Sequence, residues 1–208
     1  MSSPNFVAGS AGPVQRHKLV DRLYHWVMAA SILTLMATAF LPIIGWKFEW
    51  LAIHWVTGLV LTAAVAFHII RSLFFQKIMT MVPDGKNISS LGMETKTGKY
   101  NLAQKLYHLA VAVLALSAIG SGLLMLRKID TPFWKRNPYW FSDHGWGFIY
   151  SLHDFAAMAL ITMVMIHVYF ALRPDEWHLT RSMFRGWMTR KEYQDHFDPK
   201  RWNPSDEA

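Results

Sequence analysis

The chain has 208 residues, 52% hydrophobic and 17% charged, with Trp 10, Phe 13, Met 12 and a formal net charge of +7. That balance is a membrane composition at a length suited to one compact bundle, and the basic excess fits cytoplasmic loops rather than nucleic-acid binding. Cysteine is absent, which excludes disulfides, thiolate-held iron–sulfur clusters and covalent c-type haem, so any redox metal must take His, Met or oxygen ligands.

Residues 1–22 are polar and lack an early apolar stretch, so no cleaved signal peptide is expected. Residues 1–15, rich in Ser, Gly and Pro, read as a mobile tail or a partner-binding arm, and Arg16-His17-Lys18 is a basic lead into the membrane. Span one is predicted from Leu23 to Ile44, broken by Pro42 and Gly45; Trp46, Phe48 and Trp50 then suit a membrane–water boundary. Span two follows from Leu51 to Phe75. Residues 76–99 read as a polar loop turning at Pro83-Asp84-Gly85. Span three is predicted from Leu102 to Leu126. Residues 127–146, rich in Trp, Tyr, Pro and Phe, read as an interfacial loop with room for a short surface helix. Span four runs from Gly147 to Leu172 and stops at Arg173-Pro174. The polar, basic tail from 173 to 208 is expected to open with an amphipathic surface helix over His178–Met188. No internal repeat is evident.

The expected fold is therefore an all-α membrane protein: a four-transmembrane-helix bundle over 23–172, an N-terminal arm over 1–22 and a basic tail over 173–208. Each span is long enough for roughly 30 Å of hydrocarbon. Four spans put both termini on one side. Sixteen of the 21 Lys and Arg residues fall before span one, between 71 and 105, or after span four; the other side holds Lys47, Arg127, Lys128, Lys135 and Arg136. By the positive-inside rule the termini and the 76–99 loop are cytoplasmic.

Ionisable groups inside apolar spans are costly and point to function. On span four, His153 and His167 are fourteen residues apart. Fourteen helical residues rise about 21 Å and return to within about 40° of the starting face. Both imidazoles thus face one way at two depths. His25 opens span one near the cytoplasmic side, and His54 opens span two near the outer side. Depth pairs His54 with His153 and His25 with His167, each pair able to give two axial imidazoles to a b-type haem, one near each face. A competing scheme uses His68, fourteen residues after His54, so that His54/His68 and His153/His167 serve two per helix. In a third, His68 lines a propionate or quinone pocket. His108 on span three is a weaker ligand candidate. His17, His144, His178 and His196 read as solvated. Gly58, Gly120 and Gly122 allow close helix packing or room for a flat macrocycle, and Arg71 could neutralise a propionate or snorkel to headgroups.

Several stretches carry a resemblance: Asp21-Arg22-Leu23-Tyr24-His25-Trp26, His54 with Gly58 and Arg71, Gly98-Lys99-Tyr100-Asn101-Leu102-Ala103-Gln104-Lys105, His153 with His167-Val168-Tyr169, and Met183-Phe184-Arg185-Gly186-Trp187-Met188. With these the chain resembles the cytochrome b (gamma) subunits of membrane-bound formate dehydrogenases and the related b-type anchor subunits of hydrogenases and thiosulfate reductases. The resemblance implies two haem b groups held by His25, His54, His153 and His167. It also implies a quinone site beside the inner haem, with Asn101 as a contact and Gln104 and Lys105 as neighbours. The implied partners are an iron–sulfur subunit, a catalytic subunit of molybdenum/tungsten or nickel–iron type, and membrane lipid. Ala103 stands where that pattern has glycine, and His68 and His108 are additional to it. Two other readings remain: a stand-alone b561-like cytochrome oxidising a small reductant, and a haem-free membrane anchor.

Overall fold

The computed structural model describes residues 12–75 and 96–204; the predicted turn at 83–85 lies outside them. Four helices are long and apolar enough to cross a membrane: α1 (Leu19–Phe40), α2 (Trp50–Phe75), α3 (Leu102–Met125) and α4 (Asp143–Leu172). The remaining elements are short: strand β1 (Val14–Gln15), helix α5 (Trp177–Arg185), strand β2 (Trp187–Met188) and helix α6 (Arg190–His196).

The helix ends differ from the hydropathy boundaries, and capping explains most of the difference. The Asp21 carboxylate accepts from the Lys18 backbone N–H at 3.2 Å, so α1 starts four residues before the apolar stretch does. It stops at Phe40 rather than Ile44. Pro42 cannot continue the ladder, and the turn closes at Gly45, which holds φ 94. The Ser142 hydroxyl accepts from Gly145 N–H at 3.3 Å and starts α4 four residues before Gly147. The surface helix expected over His178–Met188 is α5, ended at Gly186 with φ 90.

Helix α1 packs along α2 and α3 along α4, while α2 and α3 meet over a smaller area. Of the side chains buried on the spans, Ser31, Thr38, Ala115, Ser121 and Ala156 are small or hydroxylated, beside the larger Leu61, Lys105, Trp146 and Ile149. Lipid tails give no hydrophobic reason for large residues to turn inward, whereas small ones let backbones approach. Leu33, Val113, Phe155 and Met165 accordingly face outward.

Outside the membrane, three separated segments close into one cap. Strand β1 pairs antiparallel with β2, Val14 opposite Met188. Thr97 bridges Phe197 in parallel. Val14, Met188, Tyr193, Phe197 and Trp202 form its apolar centre. The Arg16 guanidinium lies 4.8 Å from the Phe197 ring and 5.2 Å from Trp202, and donates to the Lys99 carbonyl at 2.9 Å. Residues 12–15 are thus part of a folded cap, not a free arm, because Val14 has an apolar seat there. Of the loop histidines, His144 and His196 are exposed as expected. His178 is buried and stacks on His196 at 4.0 Å, and the His17 imidazole is partly buried. Burial first, then the neighbouring Arg16 and Lys99, pull the His17 pKa down to about 3. Burial, with His196 beside it, also lowers that of His178.

Candidate haem centres

Six histidines lie on the spanning helices: His25 on α1, His54 and His68 on α2, His108 on α3, and His153 and His167 on α4. They meet in pairs. The ring centroids of His54 and His153 are 6.3 Å apart, those of His25 and His167 6.1 Å, and those of His68 and His108 6.2 Å. Two imidazoles bonded to opposite sides of one metal ion at about 2.0 Å each would set their centroids roughly 6.3 Å apart. His68 therefore faces His108 and not His167, unlike the scheme with two ligands per helix.

The His54/His153 pair has its Nδ1 atoms set against hydroxyls of neighbouring helices. Thr38 Oγ1 lies 2.8 Å from His54 Nδ1, and its own proton goes to the carbonyls of Thr34 and Leu35 at 2.9 and 3.0 Å. A hydroxyl has one proton to give, and with that proton on a carbonyl Nδ1 is the donor. Ser121 repeats the arrangement on α3. Its Oγ is 3.0 Å from His153 Nδ1 and donates to the Ser117 carbonyl at 2.6 Å. The Ala118 carbonyl stands 3.1 Å from the same Nδ1, which again requires a proton there. Both rings thus carry hydrogen on Nδ1 and an unshared pair on Nε2, the form that binds metal. Gly122 makes room for this: a Cβ built on it would lie 3.1 Å from His153 Cε1.

Asn101 and Gln104 cap α3 together. Asn101 Oδ1 accepts from Gln104 N–H at 2.8 Å, and Gln104 Oε1 accepts from Asn101 N–H at 3.0 Å. One turn on, the Tyr107 ring stacks on His167 at 5.9 Å and its hydroxyl donates to the Met163 carbonyl at 2.9 Å. Lys105 is buried. Arg71 pairs with the carboxylate of Asp21, so its charge is met within the chain.

A family model described as prokaryotic cytochrome b561 matches residues 16–186. The chain belongs to this family. It is also similar to the formate dehydrogenase cytochrome b556(fdo) subunit of Escherichia coli strain K12, with 26% identity over 193 residues that cover 85% of this chain and 86% of that one. The subunits so described from strains O6:H1 and O157:H7 match to the same extent.

The group implied for such a cytochrome is haem b, and the residues present fit it. The donor set is imidazole, in facing pairs at metal-bridging separation. Among the described residues His25 Nδ1 is buried with no hydrogen-bond partner. Hydropathy and spacing do not point to Thr38, Ser121, Tyr24 or Tyr107. The signal that finds them is a repeat. Leu23-Tyr24-His25 recurs as Leu106-Tyr107-His108, and Thr38 and Ser121 each follow thirteen residues after that His. The expectation of no internal repeat is thereby corrected: the Leu-Tyr-His, hydroxyl and His–His spacings of α1–α2 recur in α3–α4, across unequal loops.

Proposed function

We propose that this cytochrome b carries two haem b groups, on His54/His153 and His25/His167, and serves as the membrane subunit of a respiratory oxidoreductase complex in the bacterial inner membrane. It passes electrons between an iron–sulfur partner and quinone. The observation that carries the reading is the pair of facing imidazole couples, set fourteen residues apart along α4, or about 21 Å in depth. When bound, haem b supplies reversible one-electron chemistry, and two depths are what transfer from one membrane face to the other requires.

The chain's own residues have separate tasks. Thr38 and Ser121 hold the outer imidazoles in their metal-binding tautomer. Tyr107 fixes the face of His167. Asn101, with Gln104 beside it, offers amide groups to a quinone carbonyl at the head of α3, close to water and therefore to protons. The basic excess supports cytoplasmic termini and puts that end of α3 inside. Similarity to formate dehydrogenase subunits supports a complex containing an iron–sulfur subunit and a molybdenum- or tungsten-type catalytic subunit.

The family description favours a second reading, a cytochrome working alone on a small reductant. Mild detergent extraction separates the two: co-purification of an iron–sulfur protein is expected, and a chain that elutes alone with full reductant activity favours the second. For the centres, His153→Ala and His25→Ala should each remove one haem by pyridine haemochrome and leave the others. An unchanged haem content in either variant would defeat the assignment of that ligand, and a colourless wild-type protein would leave only a membrane anchor.

A further inference from the structure

The proposed centres use four of the six histidines within the spans and leave His68 and His108 idle. Yet their rings stand 6.2 Å apart at 64°, within the 6.1–6.3 Å and 52–68° of the other two couples. The repeat explains the likeness. Exchanging the α1–α2 hairpin for the α3–α4 hairpin carries His54 onto His153, so the outer couple maps onto itself. The same exchange carries His25 onto His108 and His167 onto His68. The couple His25/His167 thus has one counterpart, and it is His108/His68. The flanking tyrosines obey the exchange too: Tyr24 stacks on His68 at 4.6 Å, as Tyr107 stacks on His167 at 5.9 Å. Depth agrees, since His68 lies as far from His54 as His167 lies from His153.

We propose that His68 and His108 are the axial ligands of a third haem b, seated between α2 and α3 at the level of His25/His167. This goes beyond the two-centre reading and rests on its premise that facing imidazoles in this chain hold haem. The chemistry selects the ligand class. Two imidazoles alone cannot close a tetrahedral metal site, and no group of three or more His, Cys, Asp or Glu converges among the described residues. A porphyrin brings four nitrogens of its own and needs only two from the protein. Beyond the Tyr24 stack, the one hydrogen-bonding contact to either ring among the described residues is weak: Ser72 Oγ is 3.5 Å from His68 Nε2, at the limit of a hydrogen bond. A lone imidazole pair in an apolar span is costly without a partner.

The test is the haem content of the full-length protein purified in detergent, with low-temperature electron paramagnetic resonance of the oxidised form. Three haems per chain are expected, with two in His68→Ala and two in His108→Ala, both variants losing the same low-spin signal. His153→Ala should lose a different one. His108→Gly should regain the missing haem when imidazole is added. A wild-type content of two overturns the proposal even if neither variant accumulates. So does a content that His68→Ala and His108→Ala both leave unchanged. Failure of the underlying premise looks different: no haem in the wild type, or none lost in His153→Ala.

Discussion

The two hydroxyls behind the outer couple are equivalent by the repeat but not in their backing, and this sets up a graded test. His54 Nδ1 has Thr38 Oγ1 at 2.8 Å as its one acceptor among the described residues. His153 Nδ1 has two, Ser121 Oγ at 3.0 Å and the Ala118 carbonyl at 3.1 Å. Thr38→Val keeps the shape of the side chain and strands a donor inside the bundle. Leaving a buried donor unpaired costs about 1–3 kcal/mol. That corresponds to roughly 5- to 150-fold weaker haem binding at the outer centre. In Ser121→Ala the Ala118 carbonyl still accepts, so the loss should stay below about 1 kcal/mol, or under roughly fivefold. The assay is transfer of haem from each purified variant to an excess of a haem-scavenging apoprotein, followed in the Soret band. Equal losses, or a greater loss in Ser121→Ala, would refute the claim that these bonds fix the ligand tautomer.

Gly122→Ala puts a Cβ 3.1 Å from His153 Cε1, so the ring must yield by a few tenths of an ångström, whereas Gly120→Ala meets nothing within 4 Å. The first should shift the paramagnetic resonance spectrum of one haem and the second should shift none; matching spectra would remove Gly122 from the site. Asn101→Ser keeps a good N-cap for α3 while deleting the amide, so quinone turnover should fall with the haem spectrum and thermal stability intact; undiminished turnover takes Asn101 out of the quinone site. Since the native His17 pKa, about 3, lies below its ordinary 6.5, the unfolded cap binds a proton first as pH falls. The cap is fully stable above pH 6.5 and loses stability below it, by about 2–3 kcal/mol at pH 4.5. Proteolysis of the tail should therefore accelerate on acidification, and His17→Gln should blunt the effect.

The spans were legible because an apolar stretch of membrane length has few alternatives, and the depth of each histidine followed from the constant rise of a helix. Helix ends were less so, since Asp21 and Ser142 act through side-chain bonds to backbone that hydropathy does not register. The cap was invisible for a different reason. Its centre joins Val14, Phe197 and Trp202, and no local pattern announces a pairing between residues so far apart. His178 was misread as solvated on the same ground: position in a tail says nothing about what folds over it. Asn101 and Gln104 were noticed for their resemblance, while the reciprocal cap they form was available from their three-residue spacing alone.

A duplicated hairpin also constrains how many centres such a bundle can build. A couple lying on the axis relating the two halves must use equivalent residues, one from each half, and His54/His153 does. Any couple off the axis must come in two copies, because each half supplies both kinds of ligand. His25/His167 is off the axis, so a second couple is the default outcome of the duplication, and its absence would need an explanation in drifted side chains. Drift has acted elsewhere in this chain. Arg71, one turn beyond His68, has Phe170 as its counterpart one turn beyond His167, and Asp21, which pairs with Arg71, has Gln104. An ion pair thus stands at one end, where the other has an uncharged pair of residues. His68 and His108 stand at the separation of the other two couples, and two costly imidazoles facing each other within the spans are what a bound iron porphyrin would use.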